Sequence, residues 1–161
     1  MRFRVLLRRL QALEPRELLA LVPATIQVIV ARAALRALPL RKVLERVDHP
    51  LQDVNTALQL DDRTRRHIRA IERVGHGLFP KSPCLTQAIV VQRLLRKKGH
   101  ASDLRIGVRK GTGQPLEAHA WVEYRGAVVI GARGLSEEHT RLPSLAPAKP
   151  PKAKAAPEHS P

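Results

Sequence analysis

The sequence predicts an α+β protein in which helices come first and an antiparallel sheet follows. Three observations carry that expectation. Up to Gly75 the apolar residues recur at helical spacing; after Gly99 their period switches to two; and Arg125-Gly126 sits between two alternating segments as a tight turn does. The chain has 161 residues and 13 prolines, six of them from Pro143 onward. That last stretch holds almost no large apolar side chain and reads as a solvated tail, leaving about 140 residues to build one core without staples. The expected plan is an N-terminal helical segment over 1–50, a core over 51–142 and a disordered Pro, Ala and Lys-rich tail over 143–161.

Glu14-Pro15-Arg16-Glu17 opens the first helix, with Pro at a first-turn position, and Pro39 ends it. Arg41 to Val47 adds another turn or two before Asp48-His49-Pro50, a turn signal. Asp61-Asp62-Arg63-Thr64 starts the next helix, whose stripe of Ile68, Ile71 and Val74 closes at Gly75. Lys81-Ser82-Pro83-Cys84 leads into a third, in which Ala88, Val91 and Leu95 follow Cys84 along one face and Lys97, Lys98 and Gly99 form the stop. Leu104, Ile106 and Val108 then alternate with Asp103, Arg105, Gly107 and Arg109 as a strand, followed by the turn residues Lys110-Gly111-Thr112-Gly113. Leu116 to Tyr124 and Ala127 to Gly131 are two more strands, joined as a hairpin.

Composition excludes several classes. Cys84 has no second cysteine to pair with, so a disulfide framework is out and a reducing compartment fits. One thiol and scattered imidazoles give no zinc-ligand spacing, and there is no Gly-rich phosphate loop, so neither metal nor cofactor is expected. The formal charge of +15 would suit nucleic acid. Yet Phe3, Phe79, Trp121 and Tyr124 are the only aromatics and do not interleave with the basic residues, which puts nucleic acid in second place: much of the charge reads as ordinary solvated surface, and a basic face for an acidic peptide or partner is equally allowed. Arginines break up the first ten residues too thoroughly for a secretory signal, and Leu18 to Ala31 is too short to span a bilayer, so a cytoplasmic protein without a membrane span is expected. The arginine-rich start retains a minor option of touching a membrane surface or a partner.

The site argument begins at Cys84. A cysteine thiol is only a few per cent ionised at neutral pH, and helix N-termini favour the anion through their free N–H groups and dipole. An adjacent imidazole completes the activation, taking the proton and later handing it to a leaving amine. The Cys84 N–H at the same helix end can meet a tetrahedral oxyanion. On its own, a cysteine on an apolar helix face reads as a small core hydrophobe. A partner changes that reading. His49, His67, His76, His100, His139 and His159 fall in turns, on polar helix faces or in the tail; His119 alone sits inside a strand pattern, Glu117-Ala118-His119-Ala120-Trp121-Val122-Glu123.

Those residues also carry a resemblance. Cys84-Leu85-Thr86-Gln87-Ala88, Leu94 to Gly99, Leu104-Arg105-Ile106-Gly107-Val108, Ala118 to Glu123 and Gly126 to Gly131 run in an order that resembles the transglutaminase-like leader peptidases of lasso-peptide biosynthesis, the microcin-J-processing B-type proteins. The likeness covers roughly Lys81 to Gly131, and the Arg and Leu-rich segment up to Arg41 is similar to the N-terminal part of such proteins. It implies a transglutaminase-like or papain-like core, with the nucleophile helix packed on an antiparallel sheet that bears the histidine. It also implies proteolytic removal of a leader from a ribosomally made precursor peptide, before a separate macrolactam cyclase acts. This chain shows no obvious room for a fused leader-binding domain, so the resemblance implies a separate leader-binding protein.

Cys84 is then the nucleophile and His119 the base and later acid. The third member departs from the family pattern, which places an acid on the next strand. With a two-residue turn the register puts Ala132 opposite His119, and Gly131-Ala132-Arg133 holds no carboxylate. Glu117 and Glu123 share the His119 face at about 7 Å and 13 Å along the strand, and Glu137 or Glu138 can fold back. Each reads first as a solvated acid. An amide, a carbonyl or water can orient the ring instead. Trp121 walls the site or fills the core, with the wall preferred because an indole N–H needs a partner. Gln87, one turn after Cys84, can help an oxyanion, though a solvent-facing amide is the stronger reading. Two rivals stay open: a catalytically inactive scaffold or peptide-binding module, and a basic nucleic-acid-binding module.

Overall fold

The computed structural model describes residues 15–47, 59–109, 116–133, 135 and 139–142. Among them four helices precede a four-stranded sheet: α1 (Pro15–Ala37), α2 (Leu40–Val47), α3 (Asp62–Leu78), α4 (Cys84–Lys97), β1 (Ser102–Arg109), β2 (Glu117–Tyr124), β3 (Ala127–Ile130) and β4 (Thr140–Arg141). The sheet order is β3-β2-β1-β4 and every pairing is antiparallel. The α+β expectation therefore holds. The turns expected at Asp48-His49-Pro50 and Lys110–Gly113, the acids Glu137 and Glu138, and the tail all lie outside the described residues.

Asp61 caps α3, accepting from the Thr64 N–H at 2.6 Å and from Thr64 Oγ1 at 2.9 Å. These bonds, chiefly the backbone one, hold its carboxyl down at a pKa of about 2 against an ordinary 3.8. The helix runs past Gly75 to Leu78, one turn further than the apolar stripe predicts, because Phe79 N–H still donates to Gly75 O at 2.9 Å. Asp61→Ala is expected to cost about 1 kcal/mol of stability. Since the folded pKa is depressed, that contribution is complete above 3.8 and lost as the pH falls through about 2. Urea melts of both proteins over that range check it: the gap between them must narrow on acidification.

α4 is the central helix, touching α1, α3 and the sheet. Val28 of α1, Ile71 of α3, Val91 and Leu95 of α4 and Val122 of β2 are fully buried around it, each worth roughly 1.5–3 kcal/mol of transfer free energy. Gln92 fixes its far end: Nε2 donates to Ser102 O at 2.6 Å while Ser102 Oγ donates to Gln92 Oε1 at 2.9 Å. Gly99, at φ 78°, turns the chain there, so β1 runs back antiparallel to α4. His100 is buried in this corner with Nδ1 3.1 Å from Tyr124 Oη, where a polar turn position was expected.

In the hairpin, Arg125 (φ 50°) and Gly126 (φ 80°) are both left-handed, as a type I′ turn requires. The ladder is then interrupted by a bulge: Glu123 pairs with Val128, but Val122 pairs with Ile130. The extra residue shifts everything beyond it by one. Ala132 is therefore not the residue across from His119, and the simple register is corrected here. The two-residue strand β4, absent from the expected elements, pairs Arg141 with Gly107 and Thr140 with Val108.

Candidate active site

Cys84 opens α4 and is half-buried. The loop before it is held from α1: the Arg32 guanidinium lies 5.1 Å from the Phe79 ring centroid and its Nη2 is 3.5 Å from Ser82 Oγ. Pro83 occupies the cap position without a side-chain cap, and the first bond of the helix runs from Gln87 N to Pro83 O at 2.9 Å. The amide N–H groups of Cys84, Leu85 and Thr86 therefore have no intrahelical acceptor and point out of the helix end, the arrangement an oxyanion can use. Thr86 Oγ1, just inside, is buried and has no hydrogen-bond partner among the described residues.

Strand alternation sorts β2 into two faces. Ala120, Val122 and Tyr124 pack into the helical core, so Glu117, His119, Trp121 and Glu123 stand on the other face. Gln92 ties α4 to Ser102, which pairs with Tyr124. Cys84 lies eight residues before Gln92, about 12 Å along the helix axis, and His119 lies five residues before Tyr124, about 16 Å along the strand. The sulfur and the imidazole thus belong to the same end of the sheet. His119 is nevertheless on the face turned from α4, and among the described residues no hydrogen bond joins it to Cys84.

His119 Nε2 lies 2.7 Å from the Gly131 carbonyl oxygen. A carbonyl only accepts, so Nε2 carries the hydrogen and Nδ1 of the neutral ring is the basic nitrogen. A main-chain oxygen thus takes the orienting place for which the sequence offered no carboxylate. Gly131 is at φ 87°, and a Cβ there would stand 2.7 Å from Ala120 O and 2.7 Å from Trp121 Cβ. Only glycine lets this carbonyl sit so close to β2. Nothing in the residue type marks such a role; a glycine ending a strand pattern was the sole signal.

The other predicted residues fall differently. Glu117 pairs with Arg109 at 2.6 Å, which holds its pKa below the usual range, and makes no bond to His119. Trp121 is 1% exposed and stacks on His119 with centroids 6.3 Å apart, while Nε1 donates to Glu123 Oε1 at 2.9 Å. Arg141 covers its outer face at 5.8 Å, and Gly107 leaves room for its edge. Trp121 is therefore a buried backing for the imidazole. Burial alone would raise the pKa of Glu123, but the indole N–H, Arg141 at 3.0 Å and Arg105 at 3.3 Å outweigh it and keep the carboxyl low. The His139 ring centroid lies 5.8 Å from that of His119, a neighbour that no strand or helix pattern in the sequence indicates. Gln87 is corrected outright: it is buried against Gly75, with Nε2 donating to Glu72 O at 2.9 Å, and ties α4 to α3. No group of three or more metal-ligating side chains occurs among the described residues.

Residues 2–144 match the family model described as the transglutaminase-like superfamily. The chain is 32% identical over 74 residues to the microcin J25-processing protein McjB of Escherichia coli, a match covering 46% of this chain and 34% of that protein. The chain thus matches about a third of the length of this curated relative. No solved structure is significantly similar. A family model that spans most of the sequence, on a fold whose central helix opens with cysteine and packs on an antiparallel sheet bearing histidine, shows that the chain belongs to the transglutaminase-like superfamily.

Proposed function

We propose that the protein is a cytoplasmic cysteine peptidase that removes the leader from a lasso-peptide precursor before macrolactam closure. The observation that carries the reading is the Nε2–H bond from His119 to the Gly131 carbonyl, which leaves Nδ1 free to take a proton. In the proposed reaction Nδ1 accepts the Cys84 proton and Sγ attacks the scissile carbonyl. The oxyanion is met by the Cys84 N–H, and the imidazolium returns the proton to the leaving amine. Water then hydrolyses the thioester. Every group belongs to the chain or the substrate, so the reaction as written needs no cofactor. Catalytic contacts that are open in a free enzyme commonly close in the substrate complex, and here sulfur and ring must approach around the sheet end at Ala118, an exposed small residue.

The similarity to a microcin-processing protein supports a precursor peptide as substrate. A separate leader-binding protein delivers it and a cyclase follows. The test mixes the purified chain, a lasso precursor and its leader-binding protein and reads masses. Two fragments whose masses sum to that of the precursor plus water are expected; an intact precursor refutes the reading.

A second reading, an inactive peptide-binding scaffold, is favoured by the missing bond between Cys84 and His119. It predicts unchanged processing after Cys84→Ala.

A further inference from the structure

Among the described residues, most of the exposed large aliphatic side chains lie on α1, which the site does not use. Leu18, Leu19, Val22, Ile26, Ile29 and Val30 all face outward, Leu19 at 75% and Val22 at 65% exposure. Their spacing gathers them on one side of the helix, over about 18 Å of its axis, and no charged residue falls between Leu18 and Ala31. Ala24, Val28 and Ala31, on the other side, are buried in the core that α1 shares with α3 and α4. A contiguous aliphatic face of this kind is seldom left uncovered.

Cations border it. A cavity of about 660 Å³ between α1, α2 and α4 shares Ile26 and Val30 with the stripe and is rimmed by Arg46, Arg93 and Lys97. Arg16 and Arg36 stand at the two ends of the helix. Among the described residues none of these five is ion-paired. An aliphatic stripe edged by unneutralised cations, on a chain of charge +15, complements a surface with a hydrocarbon interior and anionic headgroups.

We propose that α1 lies in the plane of an anionic lipid bilayer, with its stripe below the headgroups and Arg16, Arg36, Arg46, Arg93 and Lys97 at the phosphates. By length and composition α1 would suffice to cross a bilayer, which Leu18 to Ala31 alone does not. Its tertiary ties argue for lying on the surface: Glu17 pairs with Arg73 at 3.3 Å, Gln27 Oε1 is 3.2 Å from His67 Nε2, and Arg32 packs on Phe79. Crossing would break all three. Pairing the stripe with a second copy would bring the same cations together, which costs rather than stabilises.

Co-sedimentation of the full chain with vesicles tests this. Binding to phosphatidylcholine vesicles containing phosphatidylglycerol is expected, at least about tenfold weaker on phosphatidylcholine alone. The charge-neutral pair Val22→Ser and Ile26→Ser lowers binding by about tenfold or more, with helix content unchanged by circular dichroism. If that pair fails to fold, Leu19→Ser, which has almost no packing to lose, must show the same direction. No binding to the anionic vesicles overturns the proposal. So does binding that the serine variants leave intact, since charge alone then explains it. A dimer that the serine variants dissolve overturns it too, by giving the stripe to a second copy.

Discussion

Cys84→Ala is expected to abolish precursor cleavage, by about 10³-fold or more in kcat/KM, while the melting midpoint stays near that of the parent. In the proposed reaction the sulfur is the atom that forms the bond, so nothing else in the first turn of α4 would replace it. The fold depends on it little, because Cys84 is half-buried and outside the packed cluster of Val28, Ile71, Val91 and Leu95. His119→Gln is expected to lose a similar factor for a different reason. The glutamine amide can still donate to the Gly131 carbonyl, but it has no nitrogen that accepts a proton. Single-turnover kinetics with mass detection check both variants. Unchanged product from Cys84→Ala would instead assign the protein to the scaffold class, whatever His119→Gln does.

The sequence was a good guide wherever one residue type enforces local geometry. Pro15 and Pro39 bracket α1, Asp61 caps α3, Gly99 stops α4 at φ 78°, and Arg125-Gly126 forms the hairpin turn. It failed where geometry is tertiary. The bulge between Val122 and Glu123 is one residue of slack that neither strand signals, and it moves the residues across from His119. Gln87 and His100 are polar yet buried, with partners distant in the chain that include the Glu72 carbonyl for Gln87 and the Tyr124 hydroxyl for His100. The stripe on α1 fails in the opposite sense, since an aliphatic run reads as core although half of it faces outward. In the candidate site, Cys84 and His119 could be proposed from the sequence because their chemistry is in their side chains. The group that orients His119 was not, because it is a main-chain carbonyl, which every residue possesses.

That carbonyl makes Gly131→Ala the most informative change outside the reacting pair. A Cβ at this position meets Ala120 O at 2.7 Å, Trp121 Cβ at 2.7 Å and Trp121 Cα at 2.9 Å, mostly main chain of a central strand that cannot step aside. The residue also sits at φ 87°, which alanine adopts only with strain. Together these are expected to cost about 2–4 kcal/mol in urea unfolding. Relief comes from moving residue 131 away from β2, and the carbonyl moves with it, so His119 loses the acceptor that fixes its tautomer. Activity should fall by more than the unfolded fraction explains, and the nitrogen NMR shifts of His119 should report a mixture of Nε2–H and Nδ1–H forms. Gly126→Ala separates the two effects: its φ is 80° but nothing lies within 4 Å of the added carbon. It should cost only about 1 kcal/mol and leave the His119 tautomer and kcat as they were. Equal tautomer populations and equal kcat in Gly131→Ala and the parent would show that the carbonyl neither orients the ring nor serves the chemistry.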